Sequence, residues 1–123
     1  MSKASTIRWL DAPQAHDYPA AQSYLNLIYN DKQALGFVTA LQAASVTSFK
    51  AKDIFRASGL PLLGRANSHV AKDLEKINAG EGLSPLLLVR DTGRGKVVIA
   101  DGYHRLCAVY ELDEDALIPC KII

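Results

Sequence analysis

The chain has 123 residues, 49% of them hydrophobic, which is enough for one domain with a buried core and too apolar for intrinsic disorder. Its 14 Lys and Arg against 13 Asp and Glu leave a net charge of +1, without the basic excess of a dedicated nucleic-acid surface, although a local basic pocket remains compatible. No apolar run reaches the roughly 18 residues of a membrane helix, and the first residues lack a charged-then-apolar leader pattern, so a cytoplasmic protein with no membrane partner is expected.

The first elements are helical. Thr6–Leu10 reads as a terminal strand or extended arm, interrupted by Asp11-Ala12-Pro13. Asp17-Tyr18-Pro19 opens a helix, with Pro19 in the first turn where its missing N–H costs nothing. Ala21, Tyr24, Leu25 and Ile28 give that helix an apolar face to about Tyr29. Asn30-Asp31 breaks the pattern and caps a second helix, in which Leu35, Val38, Leu41 and Gln42 or Ser45 mark the stripe that continues through Ala34 and Ala44. Gly36 weakens this helix by up to about 1 kcal/mol relative to Ala. So short a connection predicts an antiparallel helix hairpin, which could dock a protein partner.

From Val46 the texture changes. Val46–Ala51 reads as a strand, and Lys52-Asp53-Ile54 leads into a short helical turn. The loop 58–64 is too rich in Leu for a free linker and is expected to lie against the body. Asn67 or Ser68 caps a helix with Val70, Leu74 and Ile77 inside, ended by Gly80 and Gly82. His69, Lys72 and Lys76 fall within about 60° of one another beside its apolar face. They form either a basic wall for a phosphate pocket or a solvated face. Ser84-Pro85 introduces a strand at Leu86–Val89, and a polar glycine-containing hairpin carries Arg94 and Lys96 as turn charges. Val97–Ala100 returns as the partner strand, followed by a helix over 105–112, an acidic turn at 113–115 and a last strand over 118–123 with Ile122 or Ile123 inward. The order is a helix hairpin and then β-α-β-β-α-β, an α+β class. Cys107 and Cys120 have no metal-type spacing and read as small buried apolar residues.

The chemistry concentrates in Val97–Tyr110, VVIADGYHRLCAVY. An apolar strand reaches Asp101-Gly102, Tyr103-His104-Arg105 follows, and Leu106, Val109 and Tyr110 take up helical spacing. Strand, glycine turn and helix start leave N–H groups unpaired, and with Arg105 beside them they could hold an anion such as phosphate. The guanidinium of Arg105 is a fork matched to phosphate oxygens, or alternatively a partner for Asp101 or for the acids at 113–115. His104, with a pKa near neutrality, could donate to phosphate, act as general acid or base, or bond to backbone. Asp101 could hold magnesium, receive a hydroxyl proton, or cap the turn through its own backbone. Tyr103 could stack on a base, stand in a nucleophile position, or simply pack. His16, Asp17, His69, Asp101 and His104 include ligand types for zinc or iron but show no HxxxH or HExxH spacing, so no metal site is expected.

Residues 46–123 resemble the ParB/sulfiredoxin superfamily. The resemblance rests on a strand with Lys52-Asp53-Ile54, a capped helix, Gly82-Leu83-Ser84-Pro85-Leu86-Leu87-Leu88-Val89, the Asp101-Gly102-Tyr103-His104-Arg105 turn with its helix, and a terminal Ile118-Pro119-Cys120-Lys121-Ile122 strand. It implies a small mixed sheet with packed helices (46–123), to which 1–45 adds an N-terminal helical extension within a single domain over 1–123. It also implies that Gly102, Tyr103, His104 and Arg105 bind nucleotide phosphates, with a nucleoside triphosphate, ATP or CTP, and Mg2+ as cofactor. His69 stands where sulfiredoxins carry an ATP-contacting Lys, and Lys72 and Lys76 occupy the next inward positions. Tyr103 replaces the catalytic Cys of the sulfiredoxin Gly-Cys-His-Arg, which argues against sulfinic acid reduction. Tyr103-His104 replaces the Glu-Arg of ParB, and the DNA-reading helix-turn-helix region has no counterpart here, which argues against a DNA clamp. The free-serine kinases of the superfamily use an acidic base near the start of the fold, for which Asp17, Asp53 or Asp101 would have to serve. Two readings of function follow: a small phosphotransferase or NTP hydrolase with Asp101 and His104 catalytic, or a non-catalytic nucleotide-responsive module whose helix hairpin docks a partner.

Overall fold

The computed structural model describes residues 7–123. In chain order the elements are β1 (Arg8–Trp9), α1 (Asp17–Ile28), α2 (Asp31–Ala43), β2 (Thr47–Lys50), α3 (Ala51–Ser58), α4 (Ser68–Asn78), β3 (Gly82–Leu83), β4 (Leu86–Asp91), β5 (Lys96–Asp101), α5 (Tyr103–Leu112) and β6 (Leu117–Ile122). The class is α+β. The main sheet has the order β2-β6-β4-β5, with β4 parallel to β6 and the other two pairings antiparallel. β1 and β3 form a small parallel pair beside it. Of the terminal strand expected over 6–10, Thr6 lies outside the described residues, and the paired part is Arg8–Trp9.

β4 explains the layering. Leu86, Leu87, Leu88 and Val89 are all buried, a continuous apolar run of the kind a strand shows when both faces are covered. Leu86 and Leu88 join Ile99, Ile118 and Cys120 against Ile54 of α3, Val70 and Ile77 of α4 and Leu106 to Val109 of α5. Leu87 and Val89 join Val98 and Ala100 against Ala21 and Leu25 of α1 and Ala34, Val38 and Leu41 of α2. The hairpin is thus one whole layer of a helix–sheet–helix sandwich. Lys121, on the hairpin side of β6, keeps its charge satisfied by donating from Nζ to the Gln42 carbonyl at 3.0 Å, in the last turn of α2.

Several expectations are corrected. The inward stripe of α2 is Ala34, Val38 and Leu41, while Leu35 is 54% exposed, and Gln42 and Ser45 also face solvent. The expected cap at Asn30 takes the form of a capping box, in which Asn30 accepts from the Gln33 N–H and Gln33 in turn accepts from the Asn30 N–H. Tyr24, placed on the apolar face of α1, is not buried, with 41% of its surface exposed. Ala51 belongs to α3 rather than to the strand before it. β-α-β-β-α-β undercounts, because both α3 and α4 lie between β2 and β4 and β3 pairs with β1. The last helix begins at Tyr103, two residues earlier than expected. The loop 58–64 does lie on the body: Leu60 and Leu63 pack against the core, although Leu62 does not.

Candidate functional site

Two local features aim the site residues. The register of β4 against β5 shifts between Leu87, opposite Asp101, and Leu88, opposite Ile99. One extra residue is accommodated on β5, and such bulges re-aim the side chains that follow. Gly102 then takes φ +111 as the residue before α5. A Cβ there would stand 2.7 Å from Leu86 Cγ and 2.9 Å from Arg105 Nη2, so close approach and backbone conformation both require glycine. Tyr103, His104 and Arg105 therefore form the first turn of α5, where backbone N–H groups point outward.

α4 forms the opposite wall. Asn67 caps it by accepting from the N–H groups of His69 and Val70. This cap sets the helix phase so that Val70 and Ile77 are buried and the adjoining stripe of His69, Lys72 and Lys76 turns toward α5. The result is a cavity of about 210 Å³ lined by His69, Lys72, Asp73, Lys76, Asp101, Gly102, Tyr103, His104 and Arg105. All the phosphate-site residues selected from the sequence meet there, on two separate elements.

Within it, Arg105 Nη2 donates to Asp101 Oδ2 at 2.9 Å, each side chain being 17% exposed. Arg105 Nε is buried with no acceptor among the described residues, an unsatisfied charged donor of the kind that calls for an explanation. Asp101 thus pairs with Arg105 and is not seen to cap the turn. Burial holds the Asp101 carboxyl above its ordinary range, with Asp17 adding to the rise and Arg105 opposing it. The His104 ring lies 4.7 Å from the His69 ring and 5.5 Å from that of Tyr103. Its pKa is lowered, first by burial and then by His69, against Asp73. Tyr103 donates its hydroxyl proton to the Pro61 carbonyl, tying the loop 58–64 to the rim of the cavity, and burial raises its pKa.

Asp73 was missed from the sequence. It is held above the usual carboxylate range by burial, against the opposing charges of Lys76, Arg105, His104 and His69. The signal was available: 69, 72, 73 and 76 follow the i, i+3, i+4, i+7 pattern of one helix face, so an acid in that run belongs beside the bases.

The remaining candidates lie elsewhere. Asp17 is buried, accepts from the Gln14 N–H at 2.8 Å and sits 3.4 Å from His16 Nε2. Asp53 lines a different cavity and pairs loosely with Arg56. His69, Asp101 and His104 thus line the cavity, while His16 and Asp17 lie outside its lining though near enough to act on the Asp101 charge, and among the described residues no three His, Cys, Asp or Glu are placed to hold a metal ion. Cys107 and Cys120 are buried, and burial raises both pKa values, that of Cys120 to about 11. Both are packed thiols rather than nucleophiles. Compared with protein-family models, curated proteins and solved structures, the chain matches none.

Proposed function

We propose that the cavity between α4 and the first turn of α5 binds the phosphate groups of a small nucleotide. The observation that carries this reading is the buried, unpartnered Nε of Arg105, a residue of the α5 N-terminal turn that lines one cavity together with Lys72 and Lys76. A phosphate oxygen would satisfy that donor, and the remaining oxygens would meet the N–H groups of the α5 first turn and the two ammonium groups. His69 and His104 supply further donors. The carboxylates of Asp73, on α4, and Asp101, at the end of β5, line the same space. The resemblance to the ParB/sulfiredoxin superfamily extends the proposal to a nucleoside triphosphate, ATP or CTP, arriving with Mg2+. Asp73 and Asp101 are the carboxylates of the cavity that could share such an ion, and bound there it would neutralise phosphate charge.

Whether the nucleotide is turned over divides two readings. In a phosphotransferase or NTP hydrolase, Asp101 receives a proton from the acceptor hydroxyl or water and His104 passes one on. The ion pair between Asp101 and Arg105 favours the second reading, a nucleotide-responsive module, because a carboxylate committed to a guanidinium is a weak base. Thermal shift with inorganic phosphate, pyrophosphate, ATP, CTP and GTP tests the shared premise. A ligand at 100 times its dissociation constant stabilises by about 2.7 kcal/mol, and Arg105→Ala should erase the shift. No shift with any of these ligands would sink the premise. Phosphate release with Mg2+, with and without hydroxyl acceptors, then separates the enzyme from the module.

A further inference from the structure

A second cavity lies under α3, remote from the phosphate site. It holds about 230 Å³ and shares no lining residue with the first. Leu88, Val97 and Ile122 form its floor on three strands, Ile54 and Ala57 its roof, and Phe49 one side. Val97 and Asp101 stand at opposite ends of β5, about 13 Å apart at strand rise. Its volume is below that of a drug-sized pocket, which sets the scale of an occupant at a few apolar carbons.

Two charges stand in this otherwise apolar lining. Arg90, on β4, makes no side-chain hydrogen bond or ion pair among the described residues, and its backbone N–H is already used by the Ile123 carbonyl. Asp53, on α3, makes one ion pair among the described residues, with Arg56 Nη1 at 3.7 Å, an exposed and long contact of little strength, and lies near enough to Lys52 for a weak charge interaction. Asp53 and Arg90 are both exposed and not within salt-bridge distance of each other, so a cation and an anion are presented separately at the solvent-facing edge of one apolar cavity. A ligand that is apolar at one end and carries both a carboxylate and an ammonium at the other matches all three features.

We infer that this cavity binds a free α-amino acid with a branched aliphatic or aromatic side chain. Its carboxylate meets the Arg90 guanidinium, its ammonium meets Asp53, and its side chain fills the space between Ile54 and Leu88. The site is separate from the phosphate cavity and does not depend on it.

The test uses the full chain, labelled with nitrogen-15, titrated with leucine, valine, phenylalanine, glycine and glutamate. Leucine or phenylalanine should give saturable amide shifts at Asp53, Arg90 and Val97 and leave Gly102 and His104 unmoved, and the same shifts should persist in Arg105→Ala. Isoamylamine and 4-methylpentanoate, which lack the carboxylate and the ammonium respectively, should each bind at least tenfold more weakly than leucine. Arg90→Gln and Asp53→Asn should each weaken leucine at least tenfold with the fold intact. Absence of shifts with every amino acid, shifts centred on Gly102 and His104, or equal binding of leucine and 4-methylpentanoate would each overturn the assignment.

Discussion

Arg105 and Asp101 are four residues apart yet belong to different elements, and they close on each other across Gly102 with an Nη2–Oδ2 distance of 2.9 Å. The pair fastens the end of β5 to the start of α5 while one edge of the guanidinium stays free. Arg105→Ala leaves a mostly buried carboxylate without its partner. A loss of about 2–3 kcal/mol is expected, short of the roughly 3–5 for a fully enclosed pair because both side chains retain some exposure. Urea denaturation at neutral pH measures it. The deficit should shrink as pH falls and Asp101 takes up a proton, and Asp101→Asn combined with Arg105→Ala should lose less than the two single losses added. Strict additivity would mean that the two groups do not couple.

Gly102 and Gly36 should respond to alanine with opposite signs. At Gly102, φ is +111 and a Cβ would strike buried Leu86 and the Arg105 guanidinium. Gly102→Ala is therefore expected to destabilise by about 1–3 kcal/mol. At Gly36, in the exposed middle of α2, a Cβ meets nothing within 4 Å, so Gly36→Ala should stabilise by about 0.5–1 kcal/mol. Thermal melts of the two variants beside wild type decide this. A neutral Gly102→Ala would mean that the turn is not held as described.

These two glycines also mark what could be read in advance. The strand–glycine–helix order around Gly102 is local, so both the turn and its residues were legible. So were the Asn67 cap and the basic stripe on α4, because caps and helical phase are set within a few neighbours. That α4 faces α5 across one cavity is a tertiary fact, and no local pattern states it. The stripe alone fitted a solvated face equally well. On α2 the apolar pattern marks Ala34, Val38 and Leu41, which are buried, but also Leu35, which is not, because a small residue can be wholly buried while a larger neighbour stays out. The hairpin looked like an addition to a smaller core. Yet Leu87, Val89, Val98 and Ala100 need the cover of α1 and α2, a need visible only in the unbroken apolar run of β4.

Asp73 should be a stability cost at neutral pH. Its folded pKa is raised by burial, so the native state binds the proton more tightly than the unfolded chain does. The associated stability is present below the unfolded pKa, near 3.8, and is lost as pH rises through the folded value. Asp73→Asn, which keeps the shape without the charge, should raise the melting temperature at about pH 7 and bring no gain at about pH 3. If Asp73 also serves bound nucleotide through Mg2+, the same variant should bind inorganic phosphate at least as well as wild type and show a smaller Mg2+-dependent gain for ATP or CTP. A lower melting temperature at neutral pH would contradict the account of its burial.

In the proposed phosphate site, His104 should tie anion binding to protons. In the free protein its pKa lies below the ordinary 6.5, because burial and the neighbouring His69 both disfavour the imidazolium while Asp73 favours it weakly. An anion in the cavity reverses that balance by placing negative charge beside the ring. By linkage, binding must then take up protons, and affinity must rise as pH falls from about 7.5 toward 5.5. The probe should be sulfate, whose charge stays constant over this range while that of phosphate does not. Calorimetry in two buffers of different ionisation enthalpy counts the protons directly. His104→Gln should bind sulfate with a flatter pH profile and a smaller proton uptake. Sulfate binding that weakens on acidification would place His104 outside the anion's reach.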